Sequence, residues 1–577
     1  MNWWLLHPNR AQSEKADIGE LALSEAWLTD VRWKFAGDLR LSVSFSIHYA
    51  DTSVPLVMDY PALFPDLPPQ VRPARKQVLS GHQYGSGGEL CLEWRADNWH
   101  PEITGAMMIE SAYRLLSGEA PIGGERQIVQ NAHQTSVGQD ARASSERFVL
   151  PHETKVALHA AAPGSTFPLR IAELKRADRW IAQIELLGSE STAVASAKFP
   201  PEWHRCTGSF FRLPDGATIP RALAELVALL RATGDETIAG TIDTGSGEYP
   251  VLLSNGNKVE LLVAATWSDG RKLLPYTTVL APPQQRRLPD RDASLAAAKI
   301  GIVGCGSIGS KVAISLARVG AATFILVDGD IFFEANLVRN ALDRRAVGLH
   351  KTDALQAAIA EVNPQAQVIN YRVSLGAQES STFMEAAITA LNGCDVLIDA
   401  TGDPAGYNIL GGIAQRAEKP LLFAEVYGGG IGGLVCRLRP RKEPIPLAAR
   451  DQIEAWCKSK GIPAPKSETS GYAANGQDGT PLIADDTAVS VIAAHLAAMA
   501  IDTIATADES RFPFPAYMVG LDHGWIFSAP FETFPIELQS QGAWGPPIDA
   551  NGAEGVKSFF EDVVADMLAS AGESDEA

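Results

Sequence analysis

Two short apolar runs on either side of a glycine-rich segment stand out in the pattern of hydrophobic and polar positions. They span residues 300–303 and 324–327, and small or polar residues bound each of them. Apolar runs of this length are typical of buried parallel strands. The residues between them, from about Ser307 onward, predict a helix. The pattern therefore predicts a strand–helix–strand unit of a parallel sheet.

Hydrophobic periodicity predicts further elements along the chain. Alternation of apolar and polar residues indicates a strand, and apolar spacings of three and four indicate a helix. We expect strands at residues 39–49, 179–188 and 258–267, and two strands about a glycine turn within 419–440. We expect helices at residues 24–33, 103–116, 219–234, 409–417 and 484–505. The last of these is apolar throughout, which is typical of a core helix or a dimer interface.

A G-x-G-x-x-G motif formed by Gly304, Gly306 and Gly309 follows the first apolar run. Glycines let the backbone turn tightly, and the helix that begins there directs its N–H groups at a phosphate. Asp328 follows the second run, nineteen residues after Gly309, which is where a ribose-binding carboxylate is expected. By itself the motif fits a NAD-dependent dehydrogenase as well as an ATP-binding enzyme.

Charged residues downstream favour an adenylating site over a dehydrogenase. Asn336, Arg339 and Lys351 follow the second run, and Asp399 and Asp403 lie at the end of a later apolar strand in LIDATGDP. Arginine and lysine neutralise a triphosphate, and a carboxylate holds the magnesium that stabilises the departing pyrophosphate. Hydride transfer needs none of these groups, so the set predicts adenylate chemistry.

Residues 295–440 resemble the adenylation domain of ubiquitin-activating enzymes and of their bacterial ThiF/HesA/MoeB-type sulfur-carrier relatives. The resemblance implies a Rossmann-like domain that binds ATP and Mg²⁺. It also implies that Arg339 and Asp403 are catalytic and that Asp403 is the metal ligand. The residues that it implies for nucleotide binding are Gly304, Gly306, Gly309, Asp328, Asn336, Arg339 and Lys351.

A second nucleophile is expected in the long segment 440–482, where RDQIEAWCKSKG predicts a short helix bearing Cys457. In activating enzymes the crossover after the adenylating sheet holds the cysteine that takes the acyl group. The resemblance implies this role for Cys457 by its position along the chain. Arg450, Lys458 and Lys460 lie nearby and are expected to favour its thiolate.

Residues 20–120 resemble a ubiquitin-conjugating domain. The resemblance rests on a proline-rich loop, then H…G-x-LCL, then W-x-P and an amphipathic helix. It implies that Cys91 carries a thioester, which passes readily between thiols and then to an amine. The alternative is that Cys91 is a small buried hydrophobe.

The conjugating-type segment departs from the family pattern upstream of the cysteine. The family has His-Pro-Asn there, and this chain has His82-Gln83-Tyr84. His82 is expected to keep a structural role. Gln83, Tyr84 and Asn98 are the candidates for stabilising the oxyanion in place of the absent asparagine.

Length and composition bound the rest of the interpretation. With 577 residues the chain predicts several domains, which we place at 1–145, 146–290 and 291–577. The net charge of −19 argues against a nucleic-acid or anionic-membrane partner. The six cysteines include no C-x-x-C pair, and they favour a reducing cytoplasm. We expect neither a signal peptide nor an apolar run long enough to span a membrane.

The middle domain is expected to be an α+β spacer without a catalytic constellation. Trp203, His204 and Cys206 lie close together in the sequence, and we interpret them as a packed or surface turn. The fold class that follows is a multidomain α/β and α+β protein. It has a conjugating-like N-terminal domain, this linker domain, and a Rossmann-like adenylation domain with a crossover-loop cysteine.

The domain order resembles the bacterial fusion enzymes of anti-phage CBASS systems. That resemblance implies a homodimer that activates a protein C-terminus, such as that of a cyclic nucleotide synthase, and conjugates it to an amine. A dedicated ubiquitin-like protein fits the residues equally well as the acyl donor. Two other classes stay open, a sulfur-carrier activating enzyme and a non-catalytic scaffold.

Overall fold

The computed structural model describes residues 2–80, 82–84, 87–119, 137–141, 144–283, 292–462, 483–506, 509–546 and 552–573. The chain divides into two compact units, Met1–Ala143 and Ser144–Ala577. The second unit contains two separate sheets. Most of the expected linkers, and the part of segment 440–482 after residue 462, lie outside the described residues.

The first unit combines an antiparallel sheet with helices, of which the two long ones contact each other. Its helices are α1 (Trp3–Leu6), α2 (Pro8–Ser24), α3 (Gly105–Gly118) and α4 (Val137–Asp140). Its strands are β1 (Leu28–Phe35), β2 (Leu41–Tyr49), β3 (Thr52–Asp59), β4 (Gln70–Pro73), β5 (Gln83–Tyr84) and β6 (Glu89–Leu90). Strands β1 to β4 pair in sequence order, and β5 with β6 forms a separate hairpin. Cys91 directly follows this hairpin.

The helix expected at residues 24–33 was wrong. Helix α2 ends at Ser24, and the residues from Leu28 onward form strand β1, paired with β2. Val31 and Trp33 are partly buried, whereas Asp30 and Arg32, which precede each of them, are exposed. This period of two is the strand pattern. The predicted strand at 39–49 and helix at 103–116 are confirmed as β2 and α3.

The second unit begins with an eight-stranded sheet. Its strands are β7 (Glu146–Leu150), β8 (Thr166–Lys175), β9 (Trp180–Ser189), β10 (Thr192–Ser196), β11 (His204–Arg212), β12 (Tyr249–Ser254), β13 (Val259–Trp267) and β14 (Gly270–Leu280). Helices α5 (His152–Ala160), α6 (Leu223–Ala232) and α7 (Glu236–Thr244) accompany it. The order is β10-β9-β7-β14-β13-β12-β11-β8, and β8 also pairs with β9, which closes the sheet on itself. The expected strands at 179–188 and 258–267 and the helix at 219–234 are confirmed.

The last sheet carries the glycine motif at its centre. Its strands are β15 (Lys299–Val303), β16 (Thr323–Val327), β17 (Gln367–Tyr371), β18 (Val396–Asp399), β19 (Leu421–Tyr427), β20 (Gly432–Leu438), β21 (Ala516–Gly520) and β22 (Thr533–Ile536). The order is β17-β16-β15-β18-β19-β20-β21-β22. The first five strands are parallel and the last three antiparallel. The predicted Rossmann-like sheet is confirmed.

Eight helices of the described residues belong to this last sheet region. They are α8 (Asp292–Ala297), α9 (Ser307–Arg318), α10 (Lys351–Val362), α11 (Ser381–Asn392), α12 (Pro404–Ala417), α13 (Pro446–Ser459), α14 (Asp486–Ala505) and α15 (Gly552–Glu573). Short 3-10 turns occur at Glu334–Val338, Arg344–Ala346 and Gly428–Gly430. Helix α12 begins five residues earlier than the periodicity predicts, because Asp403 caps it and Pro404 fits its first position.

Helix α14 is the one described helix that is long and apolar enough to cross a membrane, so the expectation that no run reaches this length was wrong. Half of its most apolar window is buried within the protein. It packs against α9, β19 and β20 through residues such as Ile492 and Leu496, which are fully buried. These contacts give its apolar surface a role in the core.

A fully buried ion pair ties α14 to the sheet. Arg437 of β20 lies 2.9 Å from Asp502, and Ser510 and Phe512 provide further acceptors for its guanidinium. Burial alone would raise the pKa of Asp502. Hydrogen bonds from Ser510, the Arg511 N–H and other donors outweigh it and hold the pKa below the ordinary 3.8.

We expect Asp502→Ala to destabilise the protein by about 3–5 kcal/mol, because it leaves a buried guanidinium without a counterion. Thermal and urea unfolding measure the loss. Asp269→Ala is the matched control, since it breaks an exposed pair with Lys272 and is expected to change stability by less than about 1 kcal/mol. Because the pKa of Asp502 is lowered, its contribution is present above the ordinary value and is lost as the pH falls through its folded value. Equal stability of the two variants at neutral pH would contradict the prediction.

Candidate active site

The glycine turn after β15 is shaped by close backbone contacts. Gly304 has a φ of +88°, and a Cβ there would lie 2.7 Å from the carbonyl group of Ala400. A Cβ on Gly309 would overlap the carbonyl oxygen of Gly304. At Gly306, by contrast, nothing lies within 4 Å of a Cβ position. The turn is therefore packed on its inner side and open at the start of α9, where the helix N–H groups can meet a phosphate.

Asp328, at the end of β16, is bound to the glycine turn. Its carboxylate accepts hydrogen bonds from the N–H of Cys305 at 2.7 Å and of Asp330 at 2.8 Å. Burial raises the pKa of Asp328, while the Lys351 ammonium and these N–H groups oppose the rise. The predicted ribose-binding carboxylate is thus fixed directly against the predicted phosphate loop.

Lys351 is the first residue of α10, and its side chain is buried. Its Nζ lies 2.7 Å from Asp330 Oδ2, and its N–H donates to the Asp330 carbonyl. A buried ammonium needs a counterion, and Asp330 supplies it. Lys351 and Asp328 therefore lie near each other at the same end of the sheet.

The turn Glu334–Val338 presents Arg339 at its end. Asn336 Oδ1 accepts the N–H of Phe333 at 2.8 Å, so Asn336 holds the turn together. Asn340, which directly follows Arg339, is buried, and its side-chain amide donates to the Cys305 carbonyl at 3.4 Å. Asn340 thereby fastens the Arg339 segment to the glycine turn. Sequence reasoning missed Asn340, whose only signal is its place beside Arg339.

Asp399 and Asp403 have different environments after β18. Asp399 is buried and accepts hydrogen bonds from the N–H and hydroxyl of Thr401 at 3.0 and 2.7 Å. Burial raises the pKa of Asp399. Asp403 is exposed and caps α12 through the N–H groups of Ala405 and Gly406. The outward carboxylate of Asp403 is thus the one available to a cation.

These residues gather at one edge of the parallel sheet. Strand β15 lies between β16 and β18, and the chain leaves the carboxyl ends of all three there. The connections from β15 and β18 run to opposite sides of β15, which is a topological switch point. This edge has open space at Gly306, the buried Lys351 and the exposed Asp403. Such an arrangement fits a nucleoside triphosphate with Mg²⁺. The structure brings Gly304, Asp328 and Lys351 together, and Asn340 joins Arg339 to them.

Cys457 is half-buried on α13, and burial raises its thiol pKa, as do the nearby charges of Glu425 and Glu454. Arg450 opposes the shift, but it is bound to Glu425 at 2.5 Å and stacks on Tyr407 at 4.5 Å. The expectation that neighbouring cations favour the Cys457 thiolate was wrong. The reason is that the Arg450 charge is already neutralised by Glu425.

We expect Glu425→Gln to raise the rate at which iodoacetamide alkylates Cys457 by several-fold at pH 7.5. The substitution removes a negative charge and releases Arg450, so the thiol pKa falls and more thiolate is present. In the wild-type protein the rate should keep rising with pH beyond the pKa of an ordinary thiol. Mass spectrometry of the Cys457 peptide measures the rate, with exposed Glu385→Gln as control. An unchanged rate in Glu425→Gln would contradict the prediction.

Cys91 is half-buried after the β5–β6 hairpin. Its N–H donates to the His82 carbonyl at 2.7 Å, which holds the cysteine against the segment that replaces His-Pro-Asn. Arg95 lies with a guanidinium nitrogen 3.8 Å from Cys91 Sγ. Burial, and then the Cys91 charge, raise the pKa of Tyr84. Sequence reasoning missed Arg95, which belongs to no motif.

Two of the expected oxyanion donors are already engaged. Gln83 accepts from Leu79 and donates to the Gly88 carbonyl, at 2.6 and 2.7 Å. Asn98 accepts from the Arg95 N–H at 2.7 Å and donates to the Glu93 carbonyl at 2.8 Å. Both amides stabilise the loops around Cys91. Arg95, 3.8 Å from Cys91 Sγ, is therefore better placed than either amide to stabilise charge at the sulfur.

The six cysteines divide into two groups by exposure. Cys91 and Cys457 are partly exposed, and the other four, Cys206, Cys305, Cys394 and Cys436, are buried. Burial raises the pKa of Cys206 to about 12 and of Cys394 to about 11, and it raises those of Cys305 and Cys436 as well. Buried neutral thiols are poor nucleophiles.

Residues 285–513 match the model of the ThiF family. This range contains the glycine turn, Arg339, Lys351, Asp403 and Cys457, and residues 1–284 lie outside it. This match supports the part of the sequence resemblance that concerns the adenylation domain. The conjugating-like character of the first unit stays a prediction.

Among curated proteins, the chain is similar over 131 residues to the "Adenylyltransferase and sulfurtransferase uba4" of Aspergillus fumigatus, at 34% identity. It is similar over 121 residues to the "ATP-dependent ubiquitin transferase-like protein Cap2" of Enterobacter hormaechei, at 31% identity. These matches cover 22% and 21% of this chain, and 25% and 19% of those proteins. The chain therefore spans about a quarter of the first relative and a fifth of the second.

A longer match extends over 502 residues of the uncharacterized protein y4qC of Sinorhizobium fredii, at 24% identity, covering 77% of this chain and 80% of that one. Among solved structures, that of E. coli MccB with ATP aligns at 19% identity with a TM-score of 0.33. It covers 44% of this chain and 68% of that chain. A TM-score this low supports no assignment.

Proposed function

We propose that this protein activates a protein C-terminal carboxylate with ATP and transfers it, through two cysteines, to an amine. One observation carries the proposal: the chain has a sheet edge of the kind that binds ATP for adenylation, and two of its six cysteines, Cys91 and Cys457, are partly exposed. The three domains we propose are 1–145 for conjugation, 146–290 as a linker and 291–577 for activation. The name of Cap2, a ubiquitin transferase-like protein, supports the same class of reaction.

Adenylation is the first step. A carboxylate oxygen attacks the α-phosphorus of ATP, the bond to the β-phosphate oxygen breaks, and pyrophosphate leaves. The glycine turn binds the phosphates, Asp328 and Asn336 position the ribose, and Arg339 and Lys351 neutralise charge on the triphosphate. Asp403 would hold Mg²⁺, which supplies further charge stabilisation on the leaving group.

Thioester formation follows in two exchanges. The Cys457 thiol loses its proton, its sulfur attacks the acyl carbon, and AMP leaves. The Cys91 sulfur then attacks this thioester, and Cys457 departs as thiolate, a nearly isoenergetic exchange. Because both modules belong to one chain, the second exchange is intramolecular and benefits from a millimolar-range effective concentration.

Transfer to an amine completes the cycle. A lysine nitrogen attacks the thioester carbon on Cys91 and forms an amide, while Cys91 leaves as thiolate and the amine proton passes to solvent. Arg95, close to the sulfur, stabilises the negative charge that develops on the oxygen and the leaving thiolate. Arg95 thus takes the part that the absent asparagine plays in the resembling family.

Pyrophosphate exchange tests the activating half. Labelled pyrophosphate should enter ATP only when a protein with a free carboxyl terminus is added, such as a neighbouring cyclic nucleotide synthase or a ubiquitin-like protein. An amidated terminus is the matched control and should give no exchange. Tight binding of NAD with no exchange from any carboxylate would instead favour a dehydrogenase.

We expect Arg95→Gln to slow transfer from Cys91 to lysine by about 10²-fold, the scale of losing one oxyanion contact. The thioester on Cys91 should then accumulate, because its formation does not depend on the same amine step. Single-turnover gels with and without reducing agent measure both species. Arg114→Gln, on α3 and paired with Glu93, is the control for loss of an arginine nearby. Normal transfer in Arg95→Gln would exclude this role.

A sulfur-carrier activating enzyme is the second candidate, and the name of the uba4 relative favours it. Such an enzyme passes the adenylate to a sulfur donor and releases a thiocarboxylate. The partly exposed Cys91 lies outside the ThiF match and has no place in that reaction. Mass spectrometry of the product separates the two, because the exchange of one carboxylate oxygen for the heavier sulfur raises the mass of the product.

A further inference from the structure

A cluster of ligand-type side chains lies in the eight-stranded sheet of the second unit. Glu173 and Lys175 belong to β8, His204 and Cys206 to β11, and Glu248 immediately precedes β12. His204 and Cys206 are two residues apart, so both point to the same face of the strand. Strand β11 pairs antiparallel with β8 so that His204 lies opposite Glu173. Two strands and the residue before a third thus bring their side chains to one place.

Four donor atoms converge in this cluster. A carboxylate oxygen of Glu173, a ring nitrogen of His204, the sulfur of Cys206 and a carboxylate oxygen of Glu248 all lie within 4.8 Å of one another. Glu248 Oε2 lies 3.2 Å from His204 Nε2 and 3.3 Å from Cys206 Sγ. Cys206 Sγ lies 3.8 Å from Glu173 Oε2. Bonds of about 2.0–2.3 Å to a tetrahedral zinc place its ligands about 3.4 Å apart, which matches these spacings.

Both carboxylates have further hydrogen-bond partners. Tyr276 donates its hydroxyl to Glu173 Oε1 at 2.6 Å, and Lys175 donates to both oxygens of Glu248, at 2.6 Å to Oε1 and 2.5 Å to Oε2. Glu173 and Tyr276 are buried, while the His204 side chain is half exposed. Outer partners of this kind orient the ligands of metal sites, and an exposed histidine gives an ion a path from solvent.

We propose that Glu173, His204, Cys206 and Glu248 bind one divalent cation of the zinc class. The site ties β8, β11 and the start of β12 together and has a structural role beyond the proposed transfer reaction. The net charge of the cluster supports this proposal, because the carboxylates of Glu173 and Glu248 and the Lys175 ammonium together carry a charge of −1. A divalent ion bound to a cysteine that releases its proton brings the sum to zero.

The competing explanation is that Lys175 alone compensates the carboxylates. Its Nζ lies 2.5 Å from Glu248 Oε2 and 3.3 Å from Glu173 Oε2. Lys175 is partly exposed and also stacks on Trp180 at 5.0 Å. Metal binding therefore requires the Lys175 ammonium to leave Glu248 Oε2 and to keep only its contact with Glu248 Oε1. The two explanations differ in whether the wild-type protein takes up a metal through a thiolate.

Cobalt(II) is the probe for this site. The full chain, stripped with a chelator, is titrated with Co²⁺ alone, without ATP. We expect one equivalent with a thiolate-to-cobalt absorption band, and zinc should displace it. Cys206→Ser should lose the band, and His204→Gln should weaken binding by about tenfold or more. Cys91→Ser, which removes a thiol elsewhere, should keep the band.

Two results would overturn the assignment. One is uptake without a thiolate band in the wild type, or a band that persists in folded Cys206→Ser. The other is that wild-type protein binds no cobalt and only Lys175→Met does, which would make the ammonium the occupant. Circular dichroism checks that each variant is folded, and His204→Gln, at an exposed position, tests the site independently of Cys206.

Discussion

Arg339→Ala and Asp403→Ala are each expected to lower pyrophosphate exchange by about 10²-fold or more, the scale of losing one charged contact to a transition state. Arg339 precedes Asn340, whose side chain binds the Cys305 carbonyl, so the Arg339 backbone lies close to the glycine turn. Asp403 presents an exposed carboxylate after β18. The initial rate of exchange at saturating ATP measures the effect.

Matched variants separate chemistry from folding in this experiment. Arg344→Ala removes an exposed arginine that pairs with Glu334, and it should leave exchange unchanged. Asp403→Asn keeps an oxygen for capping α12, since asparagine caps helices as well as aspartate does, but it removes the charge. It should be as inactive as Asp403→Ala. Full activity of Asp403→Asn would mean that the residue matters only as a cap.

Local spacing explains why the strands and the glycine turn around the proposed nucleotide site could be predicted from the sequence. The glycine turn, Asp328 and the strands around them depend on contacts within about thirty residues, and the positions of Gly304 and Gly309 follow from backbone geometry. The helix predicted at 24–33 was wrong because the conformation of this segment depends on residues outside it. It pairs with β2, and the alternation of Val31 and Trp33 with charged residues indicates that pairing only weakly.

Contacts between distant parts of the chain account for what the sequence analysis missed. Glu425 on β19 neutralises Arg450 on α13, so the pKa of the Cys457 thiol is raised and not lowered as expected. Glu173 and Glu248 lie far from Cys206 in sequence, so a search for cysteine pairs finds nothing there. Residues that act through tertiary contacts carry no spacing signal, and only a structure brings them together.

The order of the two cysteines is the prediction with the largest effect. Cys457→Ala should keep pyrophosphate exchange and abolish every thioester, because the adenylate is made before the thiol is needed. Cys91→Ala should still form a reductant-sensitive adduct on Cys457 and yield no conjugate. Non-reducing gels and peptide mass spectrometry identify each adduct.

Serine variants sharpen this test, because they replace the thiol with a group of similar size. Cys91→Ser should accumulate an oxygen ester that resists thiols and yields to hydroxylamine, since an ester reacts with amines far more slowly than a thioester. Cys394→Ser is the control for a cysteine that is buried and chemically silent. An adduct on Cys91 in Cys457→Ala protein would show that the acyl group reaches Cys91 directly from the adenylate. Cys457 would then be a packed residue of α13, as its raised pKa also allows.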